Sequence, residues 1–145
     1  MNLKTINFFI CLIGVFSMLL VGCSNDIQNT EQSIVVEKLI GDENNNNYEE
    51  LREITDNEQV QKVREILKEA NWINAKAERV NSPDYRFAFR FTNTNIEAKA
   101  VLYELWITPN KDKVELMGAN QYVRLDEDKS AELFEIITGE KLADQ

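Results

Sequence analysis

The chain has 145 residues, with 16 Lys+Arg against 25 Asp+Glu, no His and two Cys. The missing imidazole excludes Ser-His-Asp and Cys-His nucleophilic pairs and His-ligated metal centres, and the length suits one domain. The net charge of −9 has the wrong sign for a nucleic-acid binder, or for a protein held to anionic lipid by a basic patch.

Met1–Thr5 carries Lys4 as its only charge, and Ile6–Val21 is almost wholly apolar. Leu20-Val21-Gly22-Cys23 closes the run, ahead of Ser24, Asn25 and Asp26. A positive start, an apolar run and small residues at the cut describe a secretory signal over 1–22. The run is shorter than the roughly 20 residues a spanning helix needs.

The Leu-x-Gly-Cys ending resembles the lipobox of bacterial lipoproteins. That resemblance implies cleavage between Gly22 and Cys23 and diacylation of the Cys23 thiol. Cys23 is then the lipidation site, and the expected location is the outer, extracytoplasmic face of the cell membrane. Cys11 leaves with the signal, so neither a disulfide nor a thiolate metal site is expected. Losing Lys4 leaves 15 basic and 25 acidic residues over 23–145, a net of −10. Acyl chains in pairs anchor stably where one is marginal, which lets an acidic domain stay at an acidic membrane.

Residues 23–32 read as the acylated Cys and a flexible polar tether. Fully extended, its nine residues after Cys23 reach about 30 Å. A single domain is expected over 33–145. Ile34-Val35-Val36 is a β-branched strand signal. Gly41–Asn47 is a loop, since Gly and Asn tolerate positive φ and nothing there asks for burial. Tyr48–Ile54 is read as a second strand, although its apolar residues recur every three and suit a helix as well.

Thr55-Asp56-Asn57-Glu58 has capping-box spacing, and Val60, Val63, Ile66, Leu67 and Ala70 recur at helical spacing, giving a helix over about 57–70. Asn81–Asp84 is a turn. Tyr85, Phe87, Phe89 and Phe91 alternate with Arg86, Ala88 and Arg90, the period of a strand with its aromatic side inward. Thr92–Glu97 is a polar loop. Ala100–Thr108 is a strand, and Lys113–Met117 and Gln121–Leu125 are two more around Gly118-Ala119-Asn120. Asp126 caps a last helix with a stripe of Ala131, Leu133, Phe134, Ile136 and Ile137, and Gly139 stops it.

The expected fold is α+β: an antiparallel sheet of five or six strands with two helices packed on one face. Ser82-Pro83-Asp84-Tyr85 opens the aromatic strand. Tyr103-Glu104-Leu105-Trp106-Ile107 follows, then Glu115-Leu116-Met117, then Gln121-Tyr122-Val123-Arg124-Leu125 and an acid-capped helix. This succession resembles the YhfM-like domain of Bacillus-type lipoproteins over most of 33–140. The resemblance implies an extracytoplasmic lipoprotein and, the family having no assigned activity, transfers no catalytic residue.

Asp84, Glu97, Glu104 and Glu115 are the acids on or beside strands that a carboxylate pair would draw on. Asp42–Asn47 offers hard oxygen ligands but lacks the EF-hand order, and reads as a solvated hairpin tip rather than a Ca²⁺ site. No metal or cofactor other than the acyl lipid on Cys23 is expected. Trp72 and the aromatic strand are read as core, and Tyr103 and Tyr122 as buried rings with a hydroxyl partner. If Tyr103 and Leu105 face the helices, Trp106 and Leu102 face away, with Arg86, Arg90, Ala88 and Met117. An aromatic flanked by Arg on a wet sheet face has hot-spot composition. Trp106, Leu102, Arg86 and Arg90 are therefore the candidate interaction face, with another envelope protein as the expected partner. The bland alternative is that the Arg stems simply cover Trp106. The functional expectation is a lipid-anchored, non-catalytic binding module. The alternative is an inhibitor of a cell-wall enzyme, acting through 41–47, or a small carboxylate-dependent wall hydrolase.

Overall fold

The computed structural model describes residues 32–41, 47–74, 81–91 and 100–145. They form an α+β fold on one antiparallel sheet. Its strands are β1 (Gln32–Leu39), β2 (Tyr48–Ile54), β3 (Ile73–Asn74), β4 (Tyr85–Phe91), β5 (Leu102–Ile107), β6 (Val114–Gly118) and β7 (Gln121–Arg124), in the order β2-β1-β4-β5-β6-β7-β3. Helix α1 (Asn57–Glu69) joins β2 to β3, helix α2 (Glu127–Thr138) follows β7, and a 3₁₀ turn at Leu142–Asp144 closes the chain.

The seventh strand corrects the expected five or six. It is β3, whose two residues pair Ile73 with Tyr122 and Asn74 with Gln121; two residues are too few to show alternation in a sequence. At the other end Gln32, read as tether, already belongs to β1.

Strands β4 to β7 are consecutive neighbours in the sheet, with the short connections 108–113 and 119–120 between the last three. The β6–β7 turn holds Ala119 at φ 50° and Asn120 at φ 62°. Two left-handed residues match the twist of the flanking strands. Gly118 therefore belongs to β6 and not to the turn.

The ambiguous spacing in β2 has a physical origin. Val36 pairs with Arg52 but Glu37 with Glu50, so Leu51 is an inserted residue that bulges out. One extra residue shifts the side-chain phase. Ile54 thus joins the core opposite Ile34, whereas Tyr48 points to the other face. The period of three marks this phase slip and not a helix.

Both helices pack on the face carrying Ile34, Val36, Tyr85, Phe87, Leu105 and Leu116. Val60, Val63, Ile66 and Leu67 of α1 and Leu133, Phe134 and Ile137 of α2 close that core. The ring of Phe134 meets Tyr85 edge-on at 5.6 Å, and Phe87 stacks on Tyr103 at 5.1 Å. Each such buried side chain contributes about 1.5–3 kcal/mol through loss of apolar surface to water. Trp72 packs on this core as expected, and its indole donates to Leu67 O at 2.7 Å.

The capping residue of α1 is Asp56, not the Thr55 of the expected box: its carboxylate accepts from Gln59 N–H at 2.9 Å. Asp126 caps α2 in the expected way, accepting from Lys129 N–H at 2.9 Å, and Gly139 stops it at φ 78°. Ala131, expected in the α2 stripe, is exposed. Ser130 is buried instead, its hydroxyl accepting from Val114 N–H at 3.0 Å.

Candidate functional site

With both helices on one face, alternation sends every second strand residue to the other. Cross-strand pairing orders these residues into bands. One runs Glu53–Val35–Ala88–Leu102. The next runs Glu50–Glu37–Arg86–Glu104–Met117–Tyr122–Ile73 and crosses all seven strands. A third holds Trp106, Glu115 and Arg124.

The four residues of the candidate interaction face do lie on this side, but they do not form one open patch. Trp106 is only 6% exposed, and its indole donates to Asn81 O at 3.0 Å. The expectation of an exposed tryptophan is therefore corrected. Residues 81–83, just ahead of β4, lie against this face. Asn81 meets Trp106, and Pro83 O accepts from the Tyr48 hydroxyl at 2.7 Å. Backbone at Asn81 contributes to the cover of the ring.

Arg86 stacks on Tyr48, its guanidinium carbon 3.8 Å from the ring centroid, and reaches Glu104 at 3.5 Å. Burial pushes the Tyr48 hydroxyl above its ordinary pKa, the Arg86 charge opposing this. Arg90 stays solvated, 3.6 Å from Glu53, whose other partner is the Ser33 hydroxyl at 2.6 Å. Leu102 is 48% exposed, with Val101 also open beside it. Of the four, only Leu102 and Arg90 present surface to a partner.

The sequence did not single out the group on the third band. Glu115 is almost fully buried, yet ionic: Tyr122 Oη donates to it at 2.8 Å and Arg124 Nε at 2.8 Å. The bond to Glu115 raises the Arg124 pKa. Tyr122 thus finds the hydroxyl partner expected of it. The signal was the two-residue turn at 119–120, which fixes a register that sets Glu115 across from Arg124. Beside the group lies a cleft of about 130 Å³, lined by Ile73, Tyr122, Arg124, Asp126, Glu69 and Lys129. Lys129 is paired with Glu69 at 3.1 Å.

Of the four carboxylates weighed for acid–base work, the three among the described residues each hold a structural bond. Asp84 accepts from Ile107 N–H at 2.7 Å, Glu104 pairs with Arg86, and Glu115 with Arg124 and Tyr122. Glu97, residues 42–46, and the Gly22 and Cys23 pair lie outside the described residues. Among the described residues, no group of three or more His, Cys, Asp or Glu is placed to hold a metal ion, and no helix is long and apolar enough to cross a membrane.

A family model described as YhfM protein matches residues 29–143. No curated protein and no solved structure matches the chain.

Proposed function

The chain belongs to the YhfM family, and from that premise we propose that it is a lipid-anchored extracytoplasmic lipoprotein, held to the outer face of the cell membrane through Cys23, whose domain is a non-catalytic interaction module. The observation that carries this reading is the order of the first 32 residues. Lys4 precedes an apolar run, the run ends in Leu20-Val21-Gly22-Cys23, and β1 begins at Gln32, a tether's length further on. A thiol at that position is the nucleophile a diacylglyceryl transfer needs, and the small Gly22 leaves room for a peptidase.

The interaction role is supported by how the polar groups are used. Asp84, Glu104 and Glu115 each bridge neighbouring strands, which gives these carboxylates a structural use. What the sheet face away from the helices offers an envelope protein at the membrane is contact surface.

The test is expression of Cys23→Ala beside the parent chain, with membrane fractionation and intact-mass measurement. The parent should sediment with membranes and carry an acyl mass on a chain starting at Cys23. The variant should be released, or remain an unprocessed precursor. A variant that stays processed and membrane-bound sinks the proposal.

A further inference from the structure

The strands run between two ends of the domain, and these ends differ in charge and in distance from Cys23. The near end holds the start of β1, the end of β4 and the start of β5. Helix α1 lies over it: Arg64 donates to the Gln32 side chain and stacks on Phe89 at 5.5 Å. The far end holds the 108–113 turn, with α2 tied to it by Ser130 on Val114 and Lys113 on Glu127 at 3.7 Å. With its capping residue, α1 carries four acids and three bases over 56–69, a net of −1. Counted likewise over 126–138, α2 carries five acids and one base, a net of −4.

We propose that the near end, around Leu102, Val101, Arg90 and Arg64, seats on the lipid headgroups, with the acidic α2 end pointing away from the membrane. The inference rests on the acylated-Cys23 reading and adds an orientation to it. Tether length decides which end comes down. Eight residues lie between Cys23 and Gln32, and a coil of that length spans on the order of 16 Å on average. Strand β1, at eight residues, is about 26 Å long. The far end touches lipid only if the tether is drawn out nearly straight along the whole domain. The near end needs no such extension.

Charge points the same way. A bilayer with anionic lipid repels acids within about a Debye length, roughly 8–10 Å. The near end also has apolar surface to lay against the interface: Leu102 is 48% and Val101 37% exposed. Of the acids among the described residues at this end, Glu53 is occupied by Arg90 and the Ser33 hydroxyl and Asp56 by the Gln59 N–H, which leaves Glu58 in the first turn of α1.

The test uses the full acylated chain in equimolar phosphatidylcholine–phosphatidylglycerol vesicles. Its Cys23 thiol is blocked, so Leu102→Cys or Asn110→Cys supplies a single thiol for an environment-sensitive fluorophore. Both positions are exposed, and melting curves confirm that each variant folds. A nitroxide-bearing lipid should quench the label at 102 several-fold more strongly than the label at 110. Equal quenching, or stronger quenching at 110, in a chain that floats with the vesicles and carries its acyl mass overturns the orientation alone. Loss of flotation together with a missing acyl mass overturns the anchor and the orientation together.

Discussion

The backbone of Gly118 lies directly beneath the ring of Tyr103: a Cβ added at Gly118 would fall 2.6 Å from Tyr103 Cδ1 and 2.8 Å from Cε1. The same ring stacks on Phe87 and sits 6.1 Å from Trp72, so it has nowhere to retreat. Gly118→Ala should therefore lower stability by about 1–3 kcal/mol, the range for overpacking a closed core. In a Tyr103→Leu background the same change should cost less, with a coupling of at least about 0.5 kcal/mol in a urea-denaturation cycle. Additive effects would show that the ring does not set the requirement for glycine.

Trp106 behaves as core although it sits on the face away from the helices. Trp106→Ala should cost about 3–5 kcal/mol in urea unfolding, as deletion of a buried large aromatic does. Trp106→Phe keeps most of the apolar volume and gives up the bond to Asn81 O, for a loss of about 1 kcal/mol in hydrogen bonding. A truncation costing under about 1 kcal/mol would place the ring in solvent, against its burial here.

Arg124 and Arg90 are both solvated arginines paired to a glutamate, with side chains 59% and 57% exposed. Their partners differ. Glu115 is buried, whereas Glu53 is open to water. Removing Arg124 leaves a buried carboxylate with fewer donors, so Arg124→Ala should destabilise the fold more than Arg90→Ala does. Arg90→Ala should cost under about 1 kcal/mol, as surface pairs do. Paired urea titrations of the two variants check the ordering.

Burial raises the pKa of Asp84 above the ordinary carboxylate value, against the lowering effect of the Ile107 N–H bond. The folded chain therefore holds this proton to higher pH than the unfolded chain does. Stability from the group is full below the unfolded value near ~3.9 and is lost as pH rises through the raised folded value. Asp84→Asn keeps an oxygen that accepts from Ile107 and removes the titration. The Tm of the variant minus that of the parent should rise as pH is taken from the ordinary carboxylate range toward neutrality. A flat difference in thermal melts across that range would contradict the assignment.

Features written in local periodicity were legible in the sequence. The aromatic alternation of 85–91 names β4 and its inward side. Asp126 and Gly139 mark both ends of α2, because capping needs only a side-chain oxygen at one end and a left-handed residue at the other. Features that depend on partners far along the chain were not legible. Strand β3 exists because β7 offers it a ladder, and the bulge at Leu51 because β1 fixes the register. Trp106 was correctly assigned to its face by counting in twos, but part of its cover comes from residue 81, which no count along β5 reveals. The buried Glu115 was visible only as one acid among many until the β6–β7 register set Arg124 opposite it.

The two borders of the sheet bear on self-association. An open strand border is a template on which another chain can add a strand. Here one border is β2, kinked by the Leu51 insertion and lined with Glu49, Glu50 and Glu53; the other, among the described residues, is the two-residue β3. The first repels an identical copy by charge and by shape. The fold keeps its longest strand, β1, in the interior and bulges and charges the seven-residue β2 border, so the chain's concentration at a surface can rise without that border nucleating cross-β growth.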